Sequence, residues 1–442
     1  MASKNKTNLT RRNFLKSSSL GCLSAGIIGK DIDLLFDEKK DEELPKIKAY
    51  RTLGRTGFKV SDISSGATGA EMVLKTLIKS GVNYIDTSEV YSNGNNERMI
   101  GQCIKEFDRK SLFITTKVRS GRGFKSKEDI INSARKSLER LQTDYIDCYM
   151  IHSAKSSEII KNEYFHDAMK QLKSEGRIRF CGVSCHGKSW INKPKETMEQ
   201  VLMTAVEDGR FDVILLVYNF LQQDMGKRIL KACKEKDIGT AVMKVNPIFD
   251  HSQVEAWFSE LERKGKELSR LQKRILYGYK TIAARADSIA KERNFKSNDE
   301  IFKDIAIPFV LSNPDVNTVL VALSNFDDMK YHLKLSGKTL KESDKKRLIN
   351  YKETFGQLYC RHACGICEDK CPYNIPVNTI MRYNYYFLAQ KDEKYAMQKY
   401  INLREQNAEA CKNCEGYCES ACPYKVPIQG LLNLAHHNLT LA

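Results

Sequence analysis

The sequence predicts an α/β protein, a TIM (β/α)8 barrel joined to a small C-terminal α-helical domain. Between Tyr50 and about Leu335, short β-rich apolar runs alternate with amphipathic segments that have apolar residues at three- and four-residue spacing. Eight such strand–helix units fit a TIM barrel, which typically has about 250 residues. Beyond that region, the last hundred residues hold eight of the fourteen cysteines, which indicates a separate domain.

The eight predicted strands are short apolar runs at residues 62–67, 82–87, 112–118, 144–152, 178–185, 211–219, 238–245 and 316–323. Between them lie amphipathic helical segments such as 126–140 and 160–175, and a long charged helical stretch at 253–300 precedes the eighth strand. A doubly wound open sheet is the alternative, but it would have a Gly-rich phosphate turn after its first strand. Residues 64–69, SSGATG, lack that pattern.

The N-terminal segment predicts export. Residues 10–16, TRRNFLK, precede a weakly apolar run of small residues, and residues 1–30 carry six basic side chains and no acid. This segment resembles a twin-arginine signal, which is an address rather than an anchor. It implies transport by the twin-arginine translocase to the periplasm or cell surface. A basic disordered tail with a chance Arg-Arg pair is the alternative.

The rest of the chain divides by composition. Residues 31–48 alternate acids and lysines and predict a linker, 49–335 form the barrel, 336–358 a connecting helix, and 359–442 the cysteine-bearing domain. The formal net charge is +17, but no basic stripe with interleaved aromatics predicts nucleic-acid binding. No segment supplies the roughly 20 uninterrupted apolar residues of a transmembrane helix.

The C-terminal cysteines repeat one pattern twice. The two copies are Cys360, Cys364, Cys367 and Cys371 before Pro372, and Cys411, Cys414, Cys418 and Cys422 before Pro423. The match continues through residues 371–377, CPYNIPV, and 422–428, CPYKVPI. The pattern resembles a bacterial ferredoxin with two 4Fe–4S clusters, in which the cysteine before proline reaches the other cluster.

On that arrangement, Cys422 joins the first three cysteines of the first copy, and Cys371 joins the first three of the second. The spacing departs from the ideal, because three residues separate Cys360 from Cys364 and Cys414 from Cys418. Structural zinc and a disulfide framework are the alternatives. Zinc seldom calls for a duplicated Cys-Pro ending, and disulfide frameworks belong to small domains without a core.

Four residues at strand ends suit carbonyl chemistry. Asp86, Lys117 and His152 end the second, third and fourth strands, and Tyr91 follows the second, so all four should meet at the C-terminal rim. Carbonyl reduction needs a proton donor at the oxygen, and a nearby ammonium would lower the pKa of a tyrosine that donates it. Each residue alone also fits a structural role, as a cap, a surface charge, a core histidine or packing. His186 is a candidate on the substrate side.

The same residues resemble the aldo/keto reductase family. Residues 84–94, YIDTSEVYSNG, look like its signature, and 115–118, TTKV, and 150–153, MIHS, occupy further motif positions. With both chain ends included, the chain resembles the ferredoxin-fused branch of that family. The resemblance implies a catalytic tetrad of Tyr91, Lys117, Asp86 and His152, and NADP(H) contacts from Ser184 and Ser324.

Several positions depart from the family pattern for the nucleotide. Cys185 and Leu215 replace an asparagine and a glutamine at the nicotinamide, and residues 238–247 contain no stacking aromatic. Near the adenosine phosphate stand Ala322, Tyr331 and His332 instead of a glycine and a Glu-Asn pair. The sequence therefore predicts weakened NADP(H) binding.

Together these features predict an exported iron–sulfur oxidoreductase. It would reduce or oxidise a small carbonyl or alcohol substrate, with electrons relayed by two 4Fe–4S clusters and supplied by a redox partner. The alternative is an electron-transfer or binding protein whose barrel has lost catalysis. An intact tetrad argues against that alternative, and the altered nucleotide positions argue for it.

Overall fold

The structure is a computed structural model that describes residues 44–120, 124–186, 196–247, 259, 263, 299–323, 325–362, 364–388 and 392–440. Pro45–Ala442 forms one compact unit. The predicted export signal, most of the linker, nearly all of the 253–300 stretch and Ser324 lie outside the described residues.

An antiparallel hairpin, β1 (Tyr50–Thr52) and β2 (Lys59–Ser61), precedes the barrel. Its turn passes through Gly57 in the left-handed region, at φ 70°, where glycine has no steric cost. Leu53 is fully buried against the start of the seventh barrel strand, where a Cβ on Gly239 would lie 2.7 Å from Leu53 Cγ. The hairpin therefore packs at the N-terminal end of the barrel, away from the rim that carries the tetrad.

Eight parallel strands close into a barrel, in the order β10-β3-β4-β5-β6-β7-β8-β9. They are β3 (Ile63–Gly66), β4 (Tyr84–Asp86), β5 (Phe113–Arg119), β6 (Ile146–His152), β7 (Ile178–Ser184), β8 (Val213–Val217), β9 (Gly239–Met243) and β10 (Thr318–Val321). Seven lie within a predicted run and β5 extends one residue beyond its run, to Arg119, so the predicted barrel is confirmed. Because β10 pairs with both β3 and β9, the doubly wound open sheet is excluded.

Amphipathic helices surround the barrel. They are α1 (Glu71–Lys79), α2 (Asn95–Ile104), α3 (Lys127–Leu141), α4 (Ser157–Ile160), α5 (Glu163–Ser174), α6 (Met198–Asp208), α7 (Asp224–Glu235), α8 (Asp299–Leu311) and α9 (Phe326–Leu333). In α3 the Ser126 side chain caps the first turn, and Ile130, Ala134 and Leu138 are buried at three- and four-residue spacing. The connection to the next domain contains α10 (Glu342–Phe355).

The C-terminal domain has helices and a core of its own. It contains α11 (Val377–Leu388), α12 (Glu393–Ile401), α13 (Tyr417–Ser420) and α14 (Ile428–Leu439). Ile380, Tyr400 and Leu432 belong to this core, which is distinct from the barrel core. In the part of the chain that the structure describes, no helix has the length and apolar character needed to cross a membrane.

The sequence duplication is also a duplication of structure. Asn374 and Lys425, which each follow a Cys-Pro-Tyr, both adopt φ 53°. In the first copy the Glu368 carboxylate accepts from Asn378 N at 2.8 Å; in the second, Glu419 accepts from Gln429 N at 2.9 Å. The two copies therefore use the same local hydrogen bonds to turn the chain from the cysteine segment into a helix.

Candidate functional site

The four tetrad residues meet at the C-terminal rim of the barrel. Asp86 and His152 are the last residues of β4 and β6, Lys117 lies in β5, and Tyr91 begins a short 3₁₀ turn, Tyr91–Gly94. Lys117 is 1% exposed, and its Nζ donates to Asp86 Oδ1 at 2.5 Å and to Thr87 O at 2.6 Å. The ammonium is thus held in place by a carboxylate and a carbonyl, which compensate for its burial.

Tyr91 faces this ion pair. Lys117 Nζ lies 5.2 Å from the centre of the Tyr91 ring. Burial raises the pKa of Tyr91, and Lys117 opposes the rise through its charge and a hydrogen bond. Burial prevails, so the net pKa of Tyr91 is higher than usual, although Lys117 acts in the predicted direction. The hydroxyl is therefore protonated at neutral pH and available as a proton donor.

His152 packs its ring against Tyr91, with ring centres 5.6 Å apart and planes at 84°. Its Nδ1 lies 2.9 Å from Ser88 Oγ, which fixes the orientation of the imidazole. Burial, together with Lys117 and Arg119, lowers the pKa of His152 to about 3. The ring is neutral at physiological pH, so it can hydrogen-bond a substrate oxygen but does not supply a charge.

A buried network supports the loop that carries Tyr91. Glu97 is fully buried and accepts from Thr116 Oγ1 and from Arg140 Nε, both at 2.5 Å. Asn96 accepts from Thr87 Oγ1 at 2.7 Å. Because Thr87 and Thr116 flank Asp86 and Lys117 in sequence, this network ties α2 to the strand ends of the site.

A cavity of about 710 Å³ opens beside the tetrad. Asp86 and Tyr91 line it, and Asp86 Oδ2 is a buried oxygen with no hydrogen-bond partner. His186, the candidate on the substrate side, lines it as well. The remaining walls come from the ends of β3, β8, β9 and β10, from α8 and α9, and from Tyr385 of the C-terminal domain.

The C-terminal domain contacts the barrel at this cavity. Tyr385 Oη donates to Asn246 O at 2.8 Å, and Lys244 Nζ donates to Tyr386 Oη at 3.3 Å. Asn219 Nδ2 donates to Tyr359 Oη at 3.3 Å. Lys244, Tyr385 and Tyr386 were not predicted from the sequence as residues of the site. The tyrosine-rich run at 383–386 and a lysine in place of a strand-seven aromatic were the available signals.

The positions expected to contact a nucleotide are only partly at the cavity. Leu215, Ala322, Tyr331 and His332 line it. Ser184 is fully buried, and its hydroxyl accepts from Ser153 N at 2.8 Å and donates to Ile151 O at 3.3 Å, so the barrel itself satisfies that group.

The helix after strand eight is also unsuited to a phosphate. In TIM barrels a phosphate often binds the loops after strands seven and eight and a helix N-terminus. Here the first turn of α9 carries Asp327 and Asp328, and the Asn325 side chain already accepts from Asp328 N. These residues therefore fit a nucleotide phosphate poorly.

Cysteines of the two copies lie close together in the C-terminal domain. Cys360, Cys364, Cys367 and Cys422 line one small cavity. In the other set, burial and the neighbouring thiols of Cys371, Cys418 and Cys414 together raise the pKa of the Cys411 thiol to about 12. All eight are free thiols.

The donor set fits two four-iron clusters, since each set holds four thiols and takes its fourth from the other copy. Within the described residues, no group of three or more His, Cys, Asp or Glu side chains is placed so that it could hold a single metal ion.

The barrel resembles known proteins. Residues 53–351, about two-thirds of the chain, match the aldo/keto reductase family. The chain belongs to the aldo/keto reductase family. The resemblance to this family predicted from the signature residues is therefore confirmed, and the cysteine repeat lies beyond the matched region.

Two relatives match this chain over most of their own length. L-galactose dehydrogenase of Arabidopsis thaliana is 27% identical over 63% of this chain and 85% of that protein, and the Bacillus subtilis aldo-keto reductase YhdN is 24% identical over 67% and 91%. A Schizosaccharomyces pombe relative is 36% identical over 160 residues, 46% of its length. The solved aldo-keto reductase AKR11C1 from Bacillus halodurans covers 68% of this chain and 95% of its own, at 22% identity and a TM-score of 0.49.

Proposed function

We propose that the protein is an exported iron–sulfur aldo/keto reductase that reduces a carbonyl or oxidises an alcohol at the Tyr91 site. The observation that carries this proposal is the position of the cavity. Asp86 and Tyr91 line it from the barrel, and Tyr385 lines it from the cysteine-bearing domain. A second small cavity is lined by both Tyr385 and Cys360. One tyrosine side chain therefore contacts both the substrate cavity and the surroundings of a cysteine ligand.

In the reductive direction, the carbonyl takes up two electrons, supplied by the redox partner, and two protons. The protonated Tyr91 hydroxyl donates the proton that the carbonyl oxygen takes, and water supplies the proton that the carbon takes. Lys117 stabilises the phenolate that remains, and the neutral His152 imidazole orients the oxygen. Asp86 keeps Lys117 charged and in position. When bound by the eight cysteines, 4Fe–4S clusters would supply one-electron transfer to and from the protein.

Export belongs to the same proposal. Residues 1–30 resemble a twin-arginine signal, and we place the mature protein in the periplasm or at the cell surface. The twin-arginine route carries folded proteins, which suits a chain whose clusters must be inserted before export. A redox partner in that compartment would then exchange electrons with the cysteine-bearing domain.

A comparison of electron donors tests the proposal. Anaerobically purified protein would be offered aldehydes and ketones with either a reduced viologen or NADPH, beside Tyr91→Phe as the control for a site-dependent reaction. We expect viologen-dependent reduction that the control loses and that exceeds the NADPH-dependent rate. Turnover by neither donor would contradict it.

A second function, electron transfer or binding by a catalytically lapsed barrel, is favoured by one observation. Leu215 lines the cavity where the family has a glutamine for the nicotinamide. This alternative predicts clusters that accept and return electrons in both the parent protein and Tyr91→Phe, with no carbonyl turnover in either.

A further inference from the structure

The cavity is electrostatically asymmetric. Asp304 and Asp328 line the end formed by α8 and α9. Lys244 follows β9 and lines another part of the wall, beside Tyr386 of the C-terminal domain. Arg382 lies on α11 three and four residues before Tyr385 and Tyr386, so on their side of that helix, and it lines the neighbouring small cavity together with Tyr385.

Lys244 of the cavity wall and the nearby Arg382 are two bases for which the described residues supply no acidic partner. Lys244 Nζ contacts Tyr386, at 3.3 Å from its hydroxyl and 4.6 Å from its ring centre. In the described part of the chain, no carboxylate forms an ion pair with Lys244 or Arg382. A cation at a cavity wall without a protein counterion is suited to bind an anionic ligand.

The charges of Lys244 and Arg382 affect the pKa of a neighbouring histidine, His186. Burial lowers the pKa of His186 well below its usual value, and Lys244 and Arg382 lower it further. Because His186 lines the cavity, the positive potential extends into the space that a substrate would occupy.

The backbone at Lys244 is also unusual. Its φ is 56°, in the left-handed region that favours glycine. A lysine at such a position carries a conformational cost that glycine would avoid, and strain of this kind is typical of functional sites. A lysine therefore occupies a position whose backbone conformation favours glycine.

We propose that the part of the cavity at Lys244 binds a carboxylate of the substrate, so that the substrate is a carboxylated carbonyl compound. Lys244 contacts the carboxylate, and Arg382 contributes a second positive charge from the C-terminal domain. The inference rests on the proposed function, since the carbonyl of the same molecule would reach Tyr91. A nucleotide phosphate has similar chemistry, but Asp327 and Asp328 at α9 oppose a bound nucleotide.

Matched probes test this without turnover. Calorimetry on the full-length protein would compare 4-carboxybenzaldehyde with 4-formylbenzamide, which differ in the charge of one group. We expect the carboxylate to bind tighter by about tenfold or more, as a charge-assisted hydrogen bond is stronger than a neutral one. Lys244→Met should remove this preference, and Lys244→Arg should keep most of it.

Two further variants make the result specific. Lys231→Met removes an exposed lysine of α7 and should leave both affinities unchanged. Arg382→Gln should weaken the carboxylate probe alone, and it gives a second measurement if Lys244→Met is poorly folded.

Three outcomes would overturn the carboxylate site. One is equal or absent binding of the two probes by the parent protein. Another is an equal loss of both probes in Lys244→Met, which would indicate a packing role. The third is weaker binding of NADPH to Lys244→Met with the carboxylate probe unaffected, which would identify a phosphate position. Absence of carbonyl turnover with the preference intact would instead contradict only the proposed function.

Discussion

At the scale of single residues, the site combines a protonated tyrosine with a cation that can stabilise its phenolate. Burial keeps the Tyr91 proton in place, while Lys117, held by Asp86 at 2.5 Å, makes loss of that proton less costly. The second carboxylate oxygen of Asp86, Oδ2, is buried and has no hydrogen-bond partner. The pair is therefore arranged around the tyrosine rather than as an isolated structural salt bridge.

Replacing Tyr91 by phenylalanine removes only the hydroxyl. We expect carbonyl reduction to fall by roughly 10²–10⁴, because the general acid is lost, with little change in folding. Steady-state kinetics beside thermal unfolding checks this. Tyr395→Phe, at a largely exposed position on α12, is the matched control and should keep full activity. Full activity of the Tyr91 variant would make Tyr91 a packing residue.

The neutral His152 imidazole should make stability depend on pH. Its pKa is about 3 in the folded protein and near 6.5 when exposed, so from pH 6.5 downwards the unfolded chain binds a proton that the folded protein does not. Stability then falls as the pH falls towards 3.

Chemical unfolding at pH 6.5 and pH 5 measures the effect. His152→Asn should lose about 2 kcal/mol less than the parent over that interval, at about 1.4 kcal/mol per pH unit. His437→Asn, at an exposed position, is the control. Identical pH slopes for the parent and His152→Asn would contradict a neutral His152.

The tetrad could be predicted because its members stand at the ends of strands that the sequence reveals, and parallel strands of a barrel end at one rim. Lys244, Tyr385 and Tyr386 could not be placed in the same way. Their roles depend on contacts between segments about 140 residues apart, such as the Lys244–Tyr386 hydrogen bond. Residue pattern shows which segments are helices or strands, but not which of them meet.

At the scale of elements, the strands position both the candidate catalytic residues and the residues that would contact a nucleotide. The eight strands were predictable because each is part of an apolar run bounded by helical segments. The hairpin β1–β2 was not, because its strands are three residues long and depend on the packing of Leu53 against Gly239. Tertiary contact, rather than local preference, stabilises them.

Leu215 in β8 and the lack of an aromatic residue at β9 predict weak NADPH binding. Leu215 cannot hydrogen-bond a carboxamide, which would cost about 1–3 kcal/mol if the group were left unpaired. With the stacking aromatic also missing, we expect affinity roughly a hundredfold below that of a typical family member, at about 1.4 kcal/mol per tenfold. Fluorescence titration with NADPH and NADH measures this, and Leu215→Gln should improve the affinity. Low-micromolar binding by the parent protein would contradict the prediction.

At the scale of the whole molecule, the cysteine repeat predicts iron content and its pairing. Anaerobically matured protein should hold about eight iron and eight sulfide per chain, as two four-iron clusters require. Cys371→Ala should lose the same cluster as Cys411→Ala, and Cys422→Ala the same as Cys364→Ala. Iron and sulfide analysis with paramagnetic resonance of the reduced protein separates the two. Zinc without sulfide, disulfides, or the opposite pairing would contradict it.

The contacts of Tyr385 and Tyr386 with the barrel have a kinetic consequence. A separate electron carrier must find its enzyme by diffusion, and encounters between oppositely charged proteins slow as salt is added. Here the cysteine-bearing domain is covalently joined to the barrel and already hydrogen-bonded to it beside the cavity. Its effective concentration there is set by the fold and not by dilution. On the proposed function, electron exchange between domains should be first-order, with a rate constant that neither protein concentration nor ionic strength changes.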